Sequence, residues 1–408
     1  MNAIFRNIRR RKERTFAGTA STMRAIMPRA MTHEMTFSSE LTIDLDALAA
    51  NYRNLRDHVA PAQCGAVVKA DAYGLGARRA VPALYQAGCR TFFVAQLCEA
   101  IELHDVLGDD CTLVILNGLD PGAEDVCADH GFVPALNAPG ALQRWRETAR
   151  RRGQRLPAAL QFDTGMSRLG VDGATARQVA CDPGFATEVE LRLVMTHLAS
   201  ADEPGAPSNA AQLSTFEALA ALFPGVPRSI ANSFGSALPA AFHNDVVRAG
   251  IALYGVPLPP GAAVIRPVVG LRARILQTRQ IAAGTGVGYG LTYTAPDTRR
   301  LATLAIGYAD GWPRALSNRG AASHDGKRLP IVGRVSMDSI MVDITALDAD
   351  ALREGDLVEL IGPGQSLDQV AADAGTIPYE ILTSLGRRHA RFYKEHGIAT
   401  ACIAGEVR

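Results

Sequence analysis

The sequence predicts an α/β protein in which a (β/α)8 barrel of the TIM type is followed by a C-terminal β-rich domain. Between residues 64 and 250, eight short apolar runs alternate with segments of helical periodicity. After about residue 265 the runs alternate apolar and polar residues, as in "LRARILQ", which indicates sheet wet on one face. With 408 residues, the chain is long enough for one large and one smaller domain.

The eight runs are nearly continuous in apolar residues, which favours strands that are buried on both faces. Helical segments separate them, for example 98–107, 139–152 and 209–222, so each strand is expected to lead into a crossover helix. The eight runs are "CGAVVKA" (64–70), "RTFFVAQ" (90–96), "CTLVILN" (111–117), "FVPALN" (132–137), "AALQFD" (158–163), "LRLVMTH" (191–197), "RSIANS" (228–233) and "DVVRAG" (245–250).

Three regions follow from these patterns. Residues 1–40 form a basic N-terminal extension, which we expect to be a disordered arm or the product of a start codon assigned too early. Residues 41–264 are assigned to the barrel, including a first short strand, "LTIDL". Residues 265–408 are assigned to the β-domain, with one helical stretch near "SLDQVAADAG".

Composition excludes several classes of function. A formal net charge of +1 gives no field that would gather nucleic acid or an anionic membrane. No apolar stretch is long enough to cross a bilayer. The seven cysteines are scattered and form no C-x-x-C pair, so we expect no disulfide framework, no metal site and a cytoplasmic location.

Polar residues stand out where five of the predicted strands end, and those ends meet at one rim of a barrel, where active sites form. Taken singly, each has a plainer explanation, such as an edge charge, a core histidine, a helix cap or a surface ion pair. Their convergence favours a single site. These residues are Lys69, Arg168, His197, Asn232, Ser233 and Arg248.

The residue types at this rim suit one cofactor, pyridoxal 5'-phosphate. A lysine in a dry site forms an imine readily with an aldehyde, which assigns that role to Lys69. His197 could stack on the ring. The phosphate would suit the amides and hydroxyl of four further residues, namely Asn232, Ser233, Gly250 and Ile251.

Eight motifs in register then resemble the alanine racemase family, from about residue 41 to the end of the chain. They are "AVVKADAYGLG", "FDTGMSRLG", "MTHLA", "ANSFGSAL", "VVRAGIALYG", "VGYGLTYTA", "IGYADGWPR" and "GRVSMD". The resemblance implies a fold-type III pyridoxal enzyme that works as a homodimer, with each site built from both chains.

The resemblance also implies individual roles. Lys69 matches the imine lysine, and Tyr289 matches a second catalytic base that the partner subunit contributes. Arg168 and Met337 fall beside the substrate. The positions that match cofactor contacts are Tyr73, Arg168, His197, Ser233, Arg248, Gly250, Ile251 and Tyr379.

The chemistry of racemisation agrees with these roles. A proton must leave one face of the α-carbon and return to the other, which requires two bases. Arg248 has only donors, so it would leave the pyridine nitrogen unprotonated, which favours reprotonation over transamination. The chain departs from the family at Gln161, where many relatives carry a lysine that becomes carbamylated and orients the arginine corresponding to Arg168.

The sequence therefore predicts a pyridoxal phosphate-dependent isomerase that interconverts L- and D-alanine, whether for peptidoglycan or for alanine breakdown. The nearest alternative is a broader racemase of the same fold, acting on serine or basic amino acids. A decarboxylase of this architecture would need a carboxylate where Arg248 stands. A non-catalytic pyridoxal-binding protein would usually lack the second domain.

Overall fold

The barrel is present in a computed structural model that describes residues 37–402. Its strands lie in the order β8-β7-β6-β5-β4-β3-β2-β9, each parallel to its neighbour. The predicted fold class is confirmed. The strands are β2 (Gln63–Val67), β3 (Thr91–Val94), β4 (Thr112–Ile115), β5 (Val133–Leu136), β6 (Leu156–Gln161), β7 (Val189–Met195), β8 (Arg228–Ser229) and β9 (Val246–Ala249).

The barrel closes between β8 and β9, where a few separate hydrogen bonds take the place of regular strand pairing. The Asp245 amide donates to the Arg228 carbonyl at 3.0 Å, and the Arg248 amide donates to the Ala231 carbonyl at 3.0 Å. The Ser229 hydroxyl adds a bond to the Val246 carbonyl at 2.6 Å. These bonds satisfy backbone groups that an open sheet edge would leave exposed.

Helices follow the first six barrel strands as the periodicity predicts, whereas β8 and β9 lead only into short 3-10 turns. The stretch predicted at 139–152 is observed as Pro139–Arg152, with proline in its first turn and Gly153 ending it at φ 59°. The helices are α1 (Leu45–Val59), α2 (Ala77–Gln86), α3 (Leu97–Leu103), α4 (Glu124–Asp129), α5 (Pro139–Arg152), α6 (Gly173–Cys181), α7 (Pro183–Glu188), α8 (Pro207–Ala220), α9 (Leu367–Ala374) and α10 (Pro378–Ser384).

A second, β-rich domain is built on a nine-stranded sheet and a short hairpin. Its longest strand, β10, alternates buried and more exposed residues over its first half, as predicted for sheet wet on one face. The strands are β1 (Ser39–Asp44), β10 (Val269–Ile281), β11 (Gly286–Val287), β12 (Tyr293–Thr294), β13 (Arg299–Leu304), β14 (Ala321–His324), β15 (Lys327–Pro330), β16 (Ile340–Asp343), β17 (Leu357–Ile361), β18 (Ala390–Glu395) and β19 (Ile398–Cys402).

Strand β1 corrects the predicted boundary at residue 41, because it lies in the sheet of the second domain and not in the barrel. Leu41 pairs with Leu271 of β10 on one side and with Arg391 of β18 on the other. Ser39, Leu41 and Ile43 are buried while the residues between them are half-buried. This alternation indicates a sheet with one face packed on the core and the other face partly open to solvent. The barrel strands, which are buried on both faces, are nearly continuous in apolar residues.

Two further expectations concern the termini and membranes. Most of the basic extension predicted at 1–40, namely residues 1–36, lies outside the described residues. Strand β1 begins at Ser39, inside the predicted extension. Within residues 37–402, none of the helices has the length and hydropathy needed to cross a membrane.

The position of β1 makes a stability prediction. Leu41 is fully buried, so Leu41→Ala should lower the free energy of unfolding by about 2–5 kcal/mol, the usual cost of a cavity in a core. Ile398 lies on the edge strand β19 and is 68% exposed, so Ile398→Ala should change it by less than about 0.5 kcal/mol. Urea denaturation of both variants measures the difference, and equal costs would contradict a central β1.

Candidate active site

A cavity of about 270 Å³ opens at the carboxyl ends of the barrel strands. It brings together all ten residues predicted to bind the cofactor, although they come from six separate stretches of the chain. Those residues are Lys69, Tyr73, Arg168, His197, Asn232, Ser233, Arg248, Gly250, Ile251 and Tyr379. Tyr289 and Met337 are not among the described residues that line it.

Lys69 does not end a strand, as the sequence suggested, but begins a left-handed turn. Strand β2 stops at Val67, and Ala70, Asp71, Ala72 and Tyr73 all have φ between 52° and 58°. Left-handed backbone costs L-residues roughly 1–2 kcal/mol each. The surrounding structure must therefore hold this turn in place.

Contacts from the second domain hold the far end of the turn. Arg391 Nη1 donates to the Gly74 carbonyl at 2.8 Å, and the Tyr393 hydroxyl donates to the Leu75 carbonyl at 2.9 Å. Within the turn, Asp71 Oδ1 accepts from the Ala77 amide at 2.7 Å, at the start of α2. The β-domain thus shapes the barrel loop that carries Tyr73.

The electrostatics of the cavity suit Lys69 as a nucleophile. Burial lowers the pKa of its ammonium, Arg168 and Arg248 lower it further, and only Glu99 opposes them. A lower pKa means a larger neutral fraction at a given pH, and the neutral amine is the form that attacks an aldehyde.

Arg248 is fixed at the bottom of the cavity by acceptors that match its donors. It donates to the Ser229 hydroxyl at 2.5 Å, to the Thr196 carbonyl at 2.7 Å and to His197 Nδ1 at 3.2 Å. Burial lowers the pKa of Arg248 to about 10, so the guanidinium stays cationic at neutral pH.

His197 is a neutral imidazole in this arrangement. Burial, followed by the charges of Arg248, Arg168 and Lys69, lowers the pKa of His197 to about 3. Since Arg248 can only donate, Nδ1 of His197 must accept, which places the ring proton on Nε2. An uncharged ring can lie flat against another aromatic ring without placing a further cation beside it.

The cavity is built for anions. Among the residues that the structure describes, three cationic side chains line it, namely Lys69, Arg168 and Arg248, and no aspartate or glutamate does. Three positive charges in one cavity repel each other unless an anionic ligand lies between them. A doubly charged phosphate and an amino acid carboxylate are ligands of the right sign.

One end of the cavity is a cradle of backbone donors. The Ser233 hydroxyl accepts from the amides of Gly250 at 2.8 Å and Ala252 at 3.3 Å, which leaves its own proton free to donate to a ligand. Within residues 37–402, the amides of Ser233 and Ile251 have no protein acceptor. A Cβ on Gly250 would lie 2.5 Å from the Tyr73 hydroxyl, so only glycine lets this hydroxyl approach the cradle.

Sequence reasoning missed several residues that line the cavity. Asn117 follows β4, so the same rule about strand ends could have found it. Val67, Leu116 and Leu169 are apolar and carried no signal. Gln161, noted as a departure from the family, also lines the cavity, and its Nε2 donates to the Leu169 carbonyl at 3.1 Å.

Tyr289 and Met337 lie on the second domain and are exposed, Tyr289 to 71% and Met337 to 52%. Tyr289 stands in the tight turn of the β11–β12 hairpin. Asn318 fixes this hairpin, because its Nδ2 donates to the Thr292 hydroxyl at 3.1 Å while its Oδ1 accepts from the Gly333 amide at 2.6 Å. The roles predicted for Tyr289 and Met337 stay predictions.

Comparisons with known proteins agree with this architecture. The family model for the alanine racemase N-terminal domain matches residues 43–257, and that for the C-terminal domain matches residues 268–393. An alanine racemase of Brucella ovis is 48% identical over 86% of this chain and 93% of the relative. A catabolic alanine racemase of Rhizobium johnstonii is 50% identical over 87% of this chain and 94% of the relative.

Solved structures give the same result. The crystal structure of alanine racemase from Bartonella henselae with covalently bound pyridoxal phosphate superposes with a TM-score of 0.84, at 46% identity, over 87% of this chain and 99% of that one. Alanine racemase from Streptomyces coelicolor gives 0.81 at 35% identity, over 87% of this chain and 98% of that one. The two family models together span both domains, and this chain belongs to the alanine racemase family.

Proposed function

We propose that this chain interconverts L-alanine and D-alanine, with pyridoxal 5'-phosphate held in the barrel cavity. The observation that carries the proposal is a half-buried lysine of lowered pKa in a cavity that, among the described residues, is lined by two arginines and no carboxylate. Membership of the alanine racemase family supports the substrate.

The residues of the cavity fit the cofactor at each of its polar ends. Ser233, Ile251 and Tyr73 would hold the phosphate, Arg248 would donate to the ring nitrogen, and Lys69 Nζ would bond the aldehyde. Once bound, the cofactor withdraws electrons from the substrate and so acidifies the proton on its α-carbon. Arg248 limits that withdrawal, because a donor that keeps its proton leaves the ring nitrogen neutral.

Lys69 and Tyr289 carry out the proton transfers in this proposal. With substrate in the site, Lys69 Nζ would act as the base on one face of the α-carbon. The Tyr289 hydroxyl acts on the opposite face, so each residue takes the proton in one direction and returns it in the other. Arg168 binds the substrate carboxylate as a bidentate donor, with Met337 beside the substrate.

Tyr289 reaches the substrate only from a second copy of the chain, which makes a homodimer the working unit. Support comes from its absence from this chain's own cavity and from its exposure. It shares the surface of the second domain with other large exposed apolar side chains, an arrangement typical of an interface. These are Leu291 at 64%, Met337 at 52% and Tyr308 at 44% exposure.

The site does not determine the direction of net conversion between L-alanine and D-alanine. Mirror-image amino acids have equal free energy in water, so the catalyst lowers the barrier equally both ways. Relatives at similar identity carry the name with and without the word catabolic. Supply of D-alanine to peptidoglycan and removal of D-alanine are therefore served by the same chemistry.

Reduced thiols support the proposal that the protein works in the cytoplasm. Cys64, Cys89, Cys98, Cys111, Cys127 and Cys181 are all free. Thiols persist in reducing compartments, whereas secreted proteins usually pair them.

Substrate preference is the direct test of the function. Both enantiomers of alanine, serine, lysine and arginine are incubated with the protein, and racemisation is followed by chiral chromatography. We expect alanine to give the highest kcat/KM, because a cavity of about 270 Å³ leaves little room beside the cofactor for a long side chain. A clear preference for lysine or arginine would favour the broader racemase, and release of carbon dioxide would indicate a decarboxylase.

Lys69→Ala tests the cofactor attachment. The purified wild type should show a visible absorbance band that survives dialysis, and borohydride should attach the cofactor to the Lys69 peptide. The variant should lose both, since no other lysine of the described part of the chain lines the cavity. Lys327→Ala, at an exposed lysine of β15, is the control and should behave as wild type. A dialysis-resistant band in Lys69→Ala would count against the assignment.

Tyr289→Phe tests the second base. Loss of one general base should lower racemisation by about 10²–10⁴-fold. In D2O, only one enantiomer should still exchange its α-proton, through Lys69. Tyr293→Phe, on the same hairpin, is the control.

Mixing the Lys69→Ala and Tyr289→Phe variants tests whether each site draws on both chains of a dimer. A dimer of Lys69→Ala with Tyr289→Phe has one intact site if each site draws on both chains, and none if each site belongs to one chain. Activity should therefore return on mixing after subunit exchange. Failure to return in a verified mixed dimer would rule out the shared site.

A further inference from the structure

Glu99 is a half-buried carboxylate that binds three backbone amides near the base of Lys69. It lies on α3 and is not among the described residues that line the cavity. Its Oε1 accepts from the Ala70 amide at 2.6 Å. Its Oε2 accepts from the amides of Ala95 at 2.7 Å and Gln96 at 3.0 Å, which follow strand β3.

The Ala70 amide needs this acceptor. Ala70 is the first residue of the left-handed turn, with φ 52° and ψ 48°, and directly follows Lys69. Two amides further along the chain find backbone carbonyls nearby, Ala72 at Val68 and Gly76 at Asp71, both at 2.9 Å. Among the described residues, the Ala70 amide donates to Glu99 alone. A bond to a carboxylate is shorter and stronger than one to a neutral oxygen.

Glu99 is also the negative charge that balances the cations around Lys69. Arg168 lies in the loop after β6, Arg248 lies on β9, and His197 follows β7 as a neutral ring. Against the two arginines, the carboxylate of Glu99 favours the protonated form of Lys69. Glu99 thus acts on Lys69 in two ways: it binds the adjacent Ala70 amide, and its negative charge favours the protonated form of Lys69.

We propose that Glu99 is a positioning residue for the reaction: it fixes the peptide between Lys69 and Ala70 and so aims the Lys69 side chain into the cavity. This inference rests on the proposed function, because it presumes that Lys69 bonds the cofactor. Glu99 touches neither cofactor nor substrate, and its effect passes through Lys69.

The test uses the full chain stripped of cofactor and the uptake of pyridoxal 5'-phosphate, followed by visible absorbance across a range of pH. Glu99→Gln keeps the length of the side chain but removes the charge and one of its acceptor oxygens. We expect about tenfold weaker cofactor binding, the size of one hydrogen bond to a charged group. We also expect the pH midpoint of uptake to move down, because the group that raises the pKa of Lys69 is lost.

A second variant separates position from charge. Glu99→Asp keeps the charge but shortens the reach, so cofactor binding should weaken while the pH midpoint moves less than in Glu99→Gln. Glu102→Gln, an exposed glutamate on the same helix, is the matched control and should leave both unchanged. If Glu99→Gln does not fold, Glu99→Asp alone must still weaken binding relative to Glu102→Gln.

The outcomes distinguish this inference from the proposed function. If the wild type fails to take up the cofactor, the proposed function fails. If the wild type takes it up, and both Glu99 variants match Glu102→Gln in affinity and pH midpoint, only the role of Glu99 is overturned. Weaker binding in Glu99→Gln with an unmoved pH midpoint would also overturn it, because a general loss of structure predicts that result.

Discussion

The left-handed turn at Lys69–Gly74 is the constraint on which the cofactor cavity depends. It carries Lys69 at its start and Tyr73 near its end, so its shape sets where these two side chains enter the cavity. Such backbone is unfavourable for four successive L-residues and persists only where neighbours determine it. Here α3 of the barrel holds one end, and β18 of the second domain holds the other.

This arrangement explains why the second domain matters to a site that lies in the barrel. Arg391 and Tyr393 of β18 bind the carbonyls that follow Tyr73, and β18 in turn pairs with β1, which leads directly into the first barrel helix. The sheet and the barrel therefore share one hydrophobic core, and a change in the packing of either domain is felt at the turn. The same domain presents Tyr289 to the outside, where it serves a neighbouring copy in the proposed mechanism.

Charge is the other organising feature of the cavity. Arg248 is buried but donates to a hydroxyl, a carbonyl and an imidazole nitrogen, so neutral groups solvate its charge without an anion. The described residues form no such hydrogen bonds to Lys69 or Arg168 inside the cavity, and an anionic ligand would relieve the repulsion between these two cations. In the proposed mechanism, Arg248 tunes the ring chemistry, whereas Lys69 and Arg168 bind the cofactor and the substrate.

Much of the fold and of the site could be predicted from the chain. All eight barrel strands were located to within a few residues, because strands covered on both faces need unbroken apolar runs, and that requirement is local in sequence. The residues predicted at the strand ends do line one cavity, because parallel strands bring their carboxyl ends to one rim.

What the sequence could not give was anything that depends on neighbours distant in the chain. Strand β1 was assigned to the barrel because pairing partners such as Leu271 and Arg391 are more than two hundred residues away. Lys69 was expected on a strand because a left-handed turn of ordinary residues has no local signal and exists only through contacts from Glu99, Arg391 and Tyr393. The sequence by itself determined the barrel, its rim and the kind of chemistry there. Tertiary structure decided which groups hold Lys69 in place, since that depends on hydrogen bonds that form only when the chain is packed.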